Sequence, residues 1–136
     1  MKLGLYATQI YEVQKDKIMN THVLRIGVMP YEEFKKRTLL IAQGKIRPNR
    51  NDPKIWFSSI RTAAEVLSED NRVLLRILAD KKPATVTALA NETGRAVSNV
   101  SRTLKTLAKY GIVELEKSGK TMKPKALATK FEIVAT

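Results

Sequence analysis

At 136 residues, with 25 Lys and Arg against 13 Asp and Glu and a formal net charge of +12, the chain has room for one compact core and a charge balance suited to a polyanionic partner. The absence of cysteine excludes disulfides, thiolate catalysis and cysteine-ligated metal sites, and with a single histidine, His22, and no glycine-rich phosphate loop or nucleophile motif, neither an enzyme nor a cofactor is expected. No apolar run approaches the roughly 20 residues that span a bilayer, so the expectation is a cytoplasmic protein without a membrane partner.

Residues 1–22 have mixed charge, scattered apolar residues and no clean period; the opening MKLGLYATQIYEVQK is too interrupted for a secretory signal, and a peripheral N-terminal extension is expected. Val23 to Val28 alternates as a strand with Leu24, Ile26 and Val28 on one face. Pro30 can open a helix, and Tyr31, Phe34, Thr38 and Ile41 recur at helical spacing up to Gly44. The loop KIRPNRNDPK, residues 45–54, carries Arg47 and Arg50 on a segment that is either solvated or an arm along a DNA groove. Ile55-Trp56-Phe57 reads as a short strand, Thr62 to Leu67 as a helix, and Glu69 to Asp80 as a second helix with Leu74, Ile77 and Leu78 facing inward.

The stretch TVTALANETGRAVSNVSRTLKTLAKYGIVELE, residues 85–116, reads as a helix, a glycine turn at Gly94, a basic second helix closed by Gly111, and a strand. At about 100° per residue, Val97, Val100, Leu104, Leu107 and Ala108 share one sector of the second helix, while Ser98, Asn99, Arg102, Lys105, Thr106 and Lys109 share the opposite one. A helix for the major groove needs this division: apolar where it rests on its domain, cationic and hydrogen-bonding where it meets phosphates and base edges. A solvated amphipathic helix would show the same period. The flanking turns favour DNA, as does the segment beyond: Lys117-Ser118-Gly119-Lys120 reads as a turn, Lys123 and Lys125 follow, and nine basic against two acidic residues lie between Arg95 and Lys130.

Residues 68–126 resemble the DNA-binding domain of MarR-type winged-helix transcriptional regulators, on the pattern Val86, Leu89, Ala90, Gly94, Ser98-Asn99-Val100-Ser101-Arg102, Leu104, Leu107 and Tyr110-Gly111-Ile112-Val113. Within that group, GRAVSNVSRTLKTLAKYG, preceded by RTLLIAQGK and KIWFSS, is similar to a small family of predicted prokaryotic regulators, some considered antitoxins. The sequence departs from the pattern at Ala96, where a serine or threonine cap is usual, and at Arg95, usually apolar. A missing cap costs about 1 kcal/mol of helix stability.

The expected fold is α+β, mainly α: an extension (1–22), a strand-helix-strand dimerisation region (23–67) and a winged helix-turn-helix domain (68–136). Ser98, Asn99 and Arg102 are expected at base edges, with Arg95, Lys105 and Lys109 at phosphates and Lys117, Lys120, Lys123 and Lys125 along the adjacent backbone. Adjacent Trp56 and Phe57 must point to opposite faces of a strand, so one of them either enters a subunit interface or is part-exposed. With Phe34 and Ile26, they are the candidate contacts of a homodimer matched to a palindromic site, with the C-terminal strand Lys130 to Val134 as a further element. The expected partner is double-stranded DNA, the expected function autorepression. An antitoxin that masks a toxin through its N-terminal half is the alternative, and a nonspecific nucleoid or RNA-binding protein fits less well because the basic segment lacks an aromatic stacking surface.

Overall fold

The computed structural model describes residues 23–136, so the expectations for residues 1–22 lie outside it. The elements follow the order β1 (Val23–Val28), α1 (Tyr31–Ala42), β2 (Ile55–Phe57), α2 (Ile60–Val66), α3 (Glu69–Lys81), α4 (Val86–Thr93), α5 (Val97–Lys109), β3 (Val113–Ser118), β4 (Thr121–Ala126) and β5 (Lys130–Ala135). The architecture is α+β.

β1 is the centre of a three-stranded sheet of order β2-β1-β5, parallel on both sides. Parallel neighbours need a crossover, and α1 with its following loop supplies the one from β1 to β2. The other neighbour closes the chain on itself: Val28 pairs with Ala135, and the Thr136 amide donates to the Val28 carbonyl at 3.0 Å. The C-terminal strand, expected as a further dimer element, thus spends one edge inside its own chain.

The two faces of the sheet divide Trp56 from Phe57. Ile26, Val28 and Phe57 turn to the interior and are almost fully buried. There they join Ala63, Val66 and Leu67, then Leu74, Leu75, Leu78, Leu89, Val100, Leu104, Leu107 and Ile112 in one apolar core. Phe57 also stacks on Tyr110, ring centroids 4.5 Å apart, which ties the sheet to the end of α5. Trp56 takes the opposite face, beside Gly27, under Phe34 at 6.2 Å between centroids and the Arg37 guanidinium at 5.1 Å from its ring. Arg37 in turn donates to Asp52 at 2.9 Å and Arg25 to the Asn51 carbonyl at 2.6 Å, so the 45–54 loop is fastened to α1 and β1.

α1 differs from its expected pattern. None of its residues is buried; Phe34, Arg37 and Ile41 are half-buried while Tyr31 and Thr38 are exposed. The inward stripe therefore begins one turn later than the apolar spacing suggests, and Phe34 and Arg37 are the side chains that reach Trp56 beneath the helix.

Side-chain caps start three of the helices. The Ser59, Ser68 and Thr85 hydroxyls accept from the amides of Thr62, Asn71 and Ala88 at 3.1 to 3.2 Å, each satisfying an orphan donor of the first turn. α4 ends on Gly94 at φ 71°, a conformation that costs a residue with a side chain about 1 kcal/mol. The chain there turns directly into α5.

Candidate nucleic-acid interface

α5 is seated by Val100, Leu104 and Leu107, all buried, and packs against α4 and the strand that follows. Its opposite side carries Ser98, Arg102, Lys105, Thr106 and Lys109, every one exposed. Positions 98, 102, 105 and 109 advance three or four residues at a time, so they form one stripe along the helix. No carboxylate lies within 4.0 Å of Arg102, Lys105 or Lys109 among the described residues. The stripe offers fixed hydrogen-bond donors and unmatched positive charge on a rigid element, which suits an anionic, grooved partner.

Two residues of the expected division change place. Val97, the first residue of the helix, is 44 % exposed, so the apolar stripe begins at Val100. Asn99 is half-buried on the flank, beside an open hollow of about 540 Å³ whose walls include Asp70, Val73 and Thr93. The start of α5 behaves as expected from Ala96: the backbone is extended at φ −65° and ψ 142°, and no side chain caps the helix.

Arg95 does not extend toward solvent as a phosphate contact would. It folds back along α5, with Nε and Nη2 donating to the Asn99 Oδ1 at 2.9 and 2.6 Å and Nη2 donating to the Thr103 hydroxyl at 3.0 Å. The Arg95 Nη1 is buried without a hydrogen-bond partner. Nothing local in the sequence distinguishes this arginine from a solvated one, although the spacing of 95, 99 and 103 places all three on one flank of a helix.

Beyond α5 the chain forms a two-stranded antiparallel hairpin, β3 with β4. Gly119 and Lys120 make its two-residue turn, and the positive φ of 63° at Gly119 alone marks the type II′ geometry that matches strand twist. β4 lies against α3 and α4, with Pro124 buried and paired to Leu115. The register sorts the lysines. Glu114 faces Lys125 and Glu116 faces Lys123 across the ladder, with neither pair closing to an ion pair within 4.0 Å. Lys117 pairs with Met122 and Lys120 occupies the turn, which leaves the two unmatched cations at the hairpin tip. Lys123 and Lys125 are exposed, each opposite a glutamate.

Of the candidate dimer contacts, Ile26 and Phe57 are consumed within the chain, at 0 % and 2 % exposure, and cannot face a second subunit. Their strands are interior on that face because the helical core closes over it. Trp56 and Phe34 are half-buried against each other. The large apolar side chains that do reach the surface of this half are Tyr31, Leu39 and Leu40 on α1, Ile46 after it, and Val23 and Ile60 elsewhere. Among the described residues no group of three His, Asp or Glu could hold a metal ion, and no helix is long and apolar enough to cross a membrane.

No curated protein matches the chain. Residues 66–133, which run from the end of α2 into β5 and include the basic helix and the hairpin, match the family model described as HVO_A0114. That match covers half of the 136 residues, and the chain belongs to the HVO_A0114 family.

Proposed function

We propose that the protein is a double-stranded DNA-binding transcriptional regulator that uses α3, α4, α5 and the β3–β4 hairpin as a winged helix-turn-helix. The observation that carries this reading is the exposed stripe Ser98, Arg102, Lys105 and Lys109, free of acidic residues, on a helix held down by three buried apolar side chains. In this arrangement α5 enters the major groove, where Arg102 reaches a guanine edge and Ser98 a neighbouring base. Lys105 and Lys109 neutralise phosphates on the groove wall, and Lys117 and Lys120 at the hairpin tip follow the adjacent backbone. A net charge of +12 speeds the encounter with any DNA, and the Arg102 contact selects among sequences.

The regulator acts as a homodimer in this proposal, because two copies of a short recognition helix double the contacts on a palindromic site. The exposed Tyr31, Leu39 and Leu40 of α1 form the joining surface, in place of Ile26 and Phe57.

Two substitutions test the DNA reading on a duplex selected by the protein from a random library. Arg102→Ala is expected to lose about 1 to 3 kcal/mol on that duplex and little on a scrambled one. Lys109→Ala is expected to weaken both about equally and to make the dependence of log K on log salt shallower by about one. Equal losses on the two duplexes for Arg102→Ala would remove its base-reading role.

A further inference from the structure

On the flank of the exposed stripe stands one side chain, Asn99, whose hydrogen-bonding capacity is already half used. Arginine has only donors, so the atom of Asn99 that faces the Arg95 guanidinium must be the oxygen, and the orientation of this amide is fixed by chemistry. Oδ1 takes two of the Arg95 donors, at 2.9 and 2.6 Å, and the same guanidinium is braced by Thr103 at 3.0 Å. The Asn99 Nδ2 is neither bonded to another described residue nor buried. Asn99 thus shows its partner two donors and no free acceptor.

We infer that Arg95 is a positioning residue that locks Asn99 as a donor-only reader, so that this side chain selects a base whose major-groove acceptors have no donor beside them, guanine or thymine, over adenine. The inference rests on the reading of α5 as a groove-entering helix. Asparagine ordinarily reads adenine by accepting from N6 while donating to N7, and that needs the oxygen which Arg95 holds. With only Nδ2 available, a bond to adenine N7 brings the other Nδ2 hydrogen against the N6 donors, whereas the O6 and N7 of guanine or the O4 of thymine accept without such a conflict. Arg95 is suited to the task because its fork binds the Asn99 oxygen twice while reaching Thr103; a lysine carries the charge without that geometry.

The test has a part that does not depend on DNA. In nitrogen-15 NMR spectra of the free full-length protein, the Arg95 Nε–H is expected to exchange slowly with solvent and to become fast in Asn99→Ala. An Arg95 Nε–H that already exchanges like those of solvated arginines would overturn the lock. In the second part, wild type, Arg95→Lys, Arg95→Ala and Asn99→Ala each select duplexes from a random library. The base that depends on Asn99 is the one whose preference disappears in Asn99→Ala. Wild type is expected to favour guanine or thymine there by about tenfold. Both Arg95 variants are expected to move that preference toward adenine with the salt dependence of binding unchanged, and Arg95→Ala is expected to add nothing in the Asn99→Ala background. Adenine preferred by wild type would overturn the donor-only reading, and Arg95→Lys behaving as wild type while Arg95→Ala makes the salt dependence shallower by about one would show Arg95 to be a phosphate contact instead. If wild type selects no sequence at all, the groove-entering helix fails as a reading and base selection by Asn99 fails with it, while the exchange measurement still decides whether Arg95 holds the amide.

Discussion

Replacing Gly27 by alanine should expose how tightly the N-terminal sheet is joined to α1. A Cβ at that position would fall 2.3 Å from Cζ3, 2.4 Å from Cε3 and 2.8 Å from Cη2 of Trp56. Carbon atoms in contact sit about 3.5 Å or more apart, so the indole must retreat by roughly 1 Å. Phe34 and Arg37 hold the ring, and Arg37 is itself tied to Asp52, so the retreat disturbs the whole join between β2, α1 and the loop. Overpacking of this kind costs about 1 to 3 kcal/mol. For a domain of this size, that lowers the thermal midpoint by roughly 3 to 12 °C. Calorimetry of Gly27→Ala in the wild-type and Trp56→Leu backgrounds separates the clash from any general strand effect, since the cost should shrink by at least about 1 kcal/mol once the ring is gone. An unchanged midpoint for Gly27→Ala, or an equal cost in both backgrounds, would refute the close approach.

The uncapped start of α5 offers a gain. The backbone at Ala96, φ −65° and ψ 142°, is close to that at Ser68, φ −59° and ψ 162°, where a hydroxyl does cap its helix, so Ala96→Ser should stabilise the fold by about 1 kcal/mol and raise the midpoint by about 3 to 5 °C. A fall in the midpoint would mean that the hydroxyl is not accepted there. At Leu104, 1 % exposed beneath the basic stripe of α5, truncation to alanine should cost about 2 to 5 kcal/mol in urea unfolding, because the helices around it cannot fully collapse onto the space; a loss under about 1 kcal/mol would place it outside the core.

Local patterns in the sequence locate the elements well, since each carries its own start and stop. β1 over Val23–Val28, the glycine-ended α4, the basic α5 and the two-residue turn at Gly119 all lie where alternation, helical spacing and turn chemistry place them. Pairing is a different matter. The parallel join of β1 to β5 links residues more than a hundred positions apart, as between Val28 and Ala135, and no local signal specifies it. The burial of Ile26 and Phe57 follows from that pairing and from the helices that cover it, which is why they look like interface residues in the sequence. An isolated glycine inside the strand pattern was the available sign of a close approach, and Gly27 is where Trp56 crosses β1. In the candidate site, the exposed stripe is legible from the helical period alone. The Arg95 lock is not, because an arginine four residues before an asparagine has the same sequence whether it reaches outward or folds back. Cross-strand register likewise decides which lysines stand opposite a glutamate, and register in the hairpin is set by the turn, not by the count of charges.

Binding of the full-length protein to the duplex upstream of its own gene and to a scrambled duplex of equal length, followed by fluorescence anisotropy across a salt series, tests the central claim most directly. The account predicts a preference of about a thousandfold or more for the upstream duplex near physiological salt, with two chains per site and a steep salt dependence on both sequences. Equal affinity for the two duplexes, or no binding to either, would contradict it.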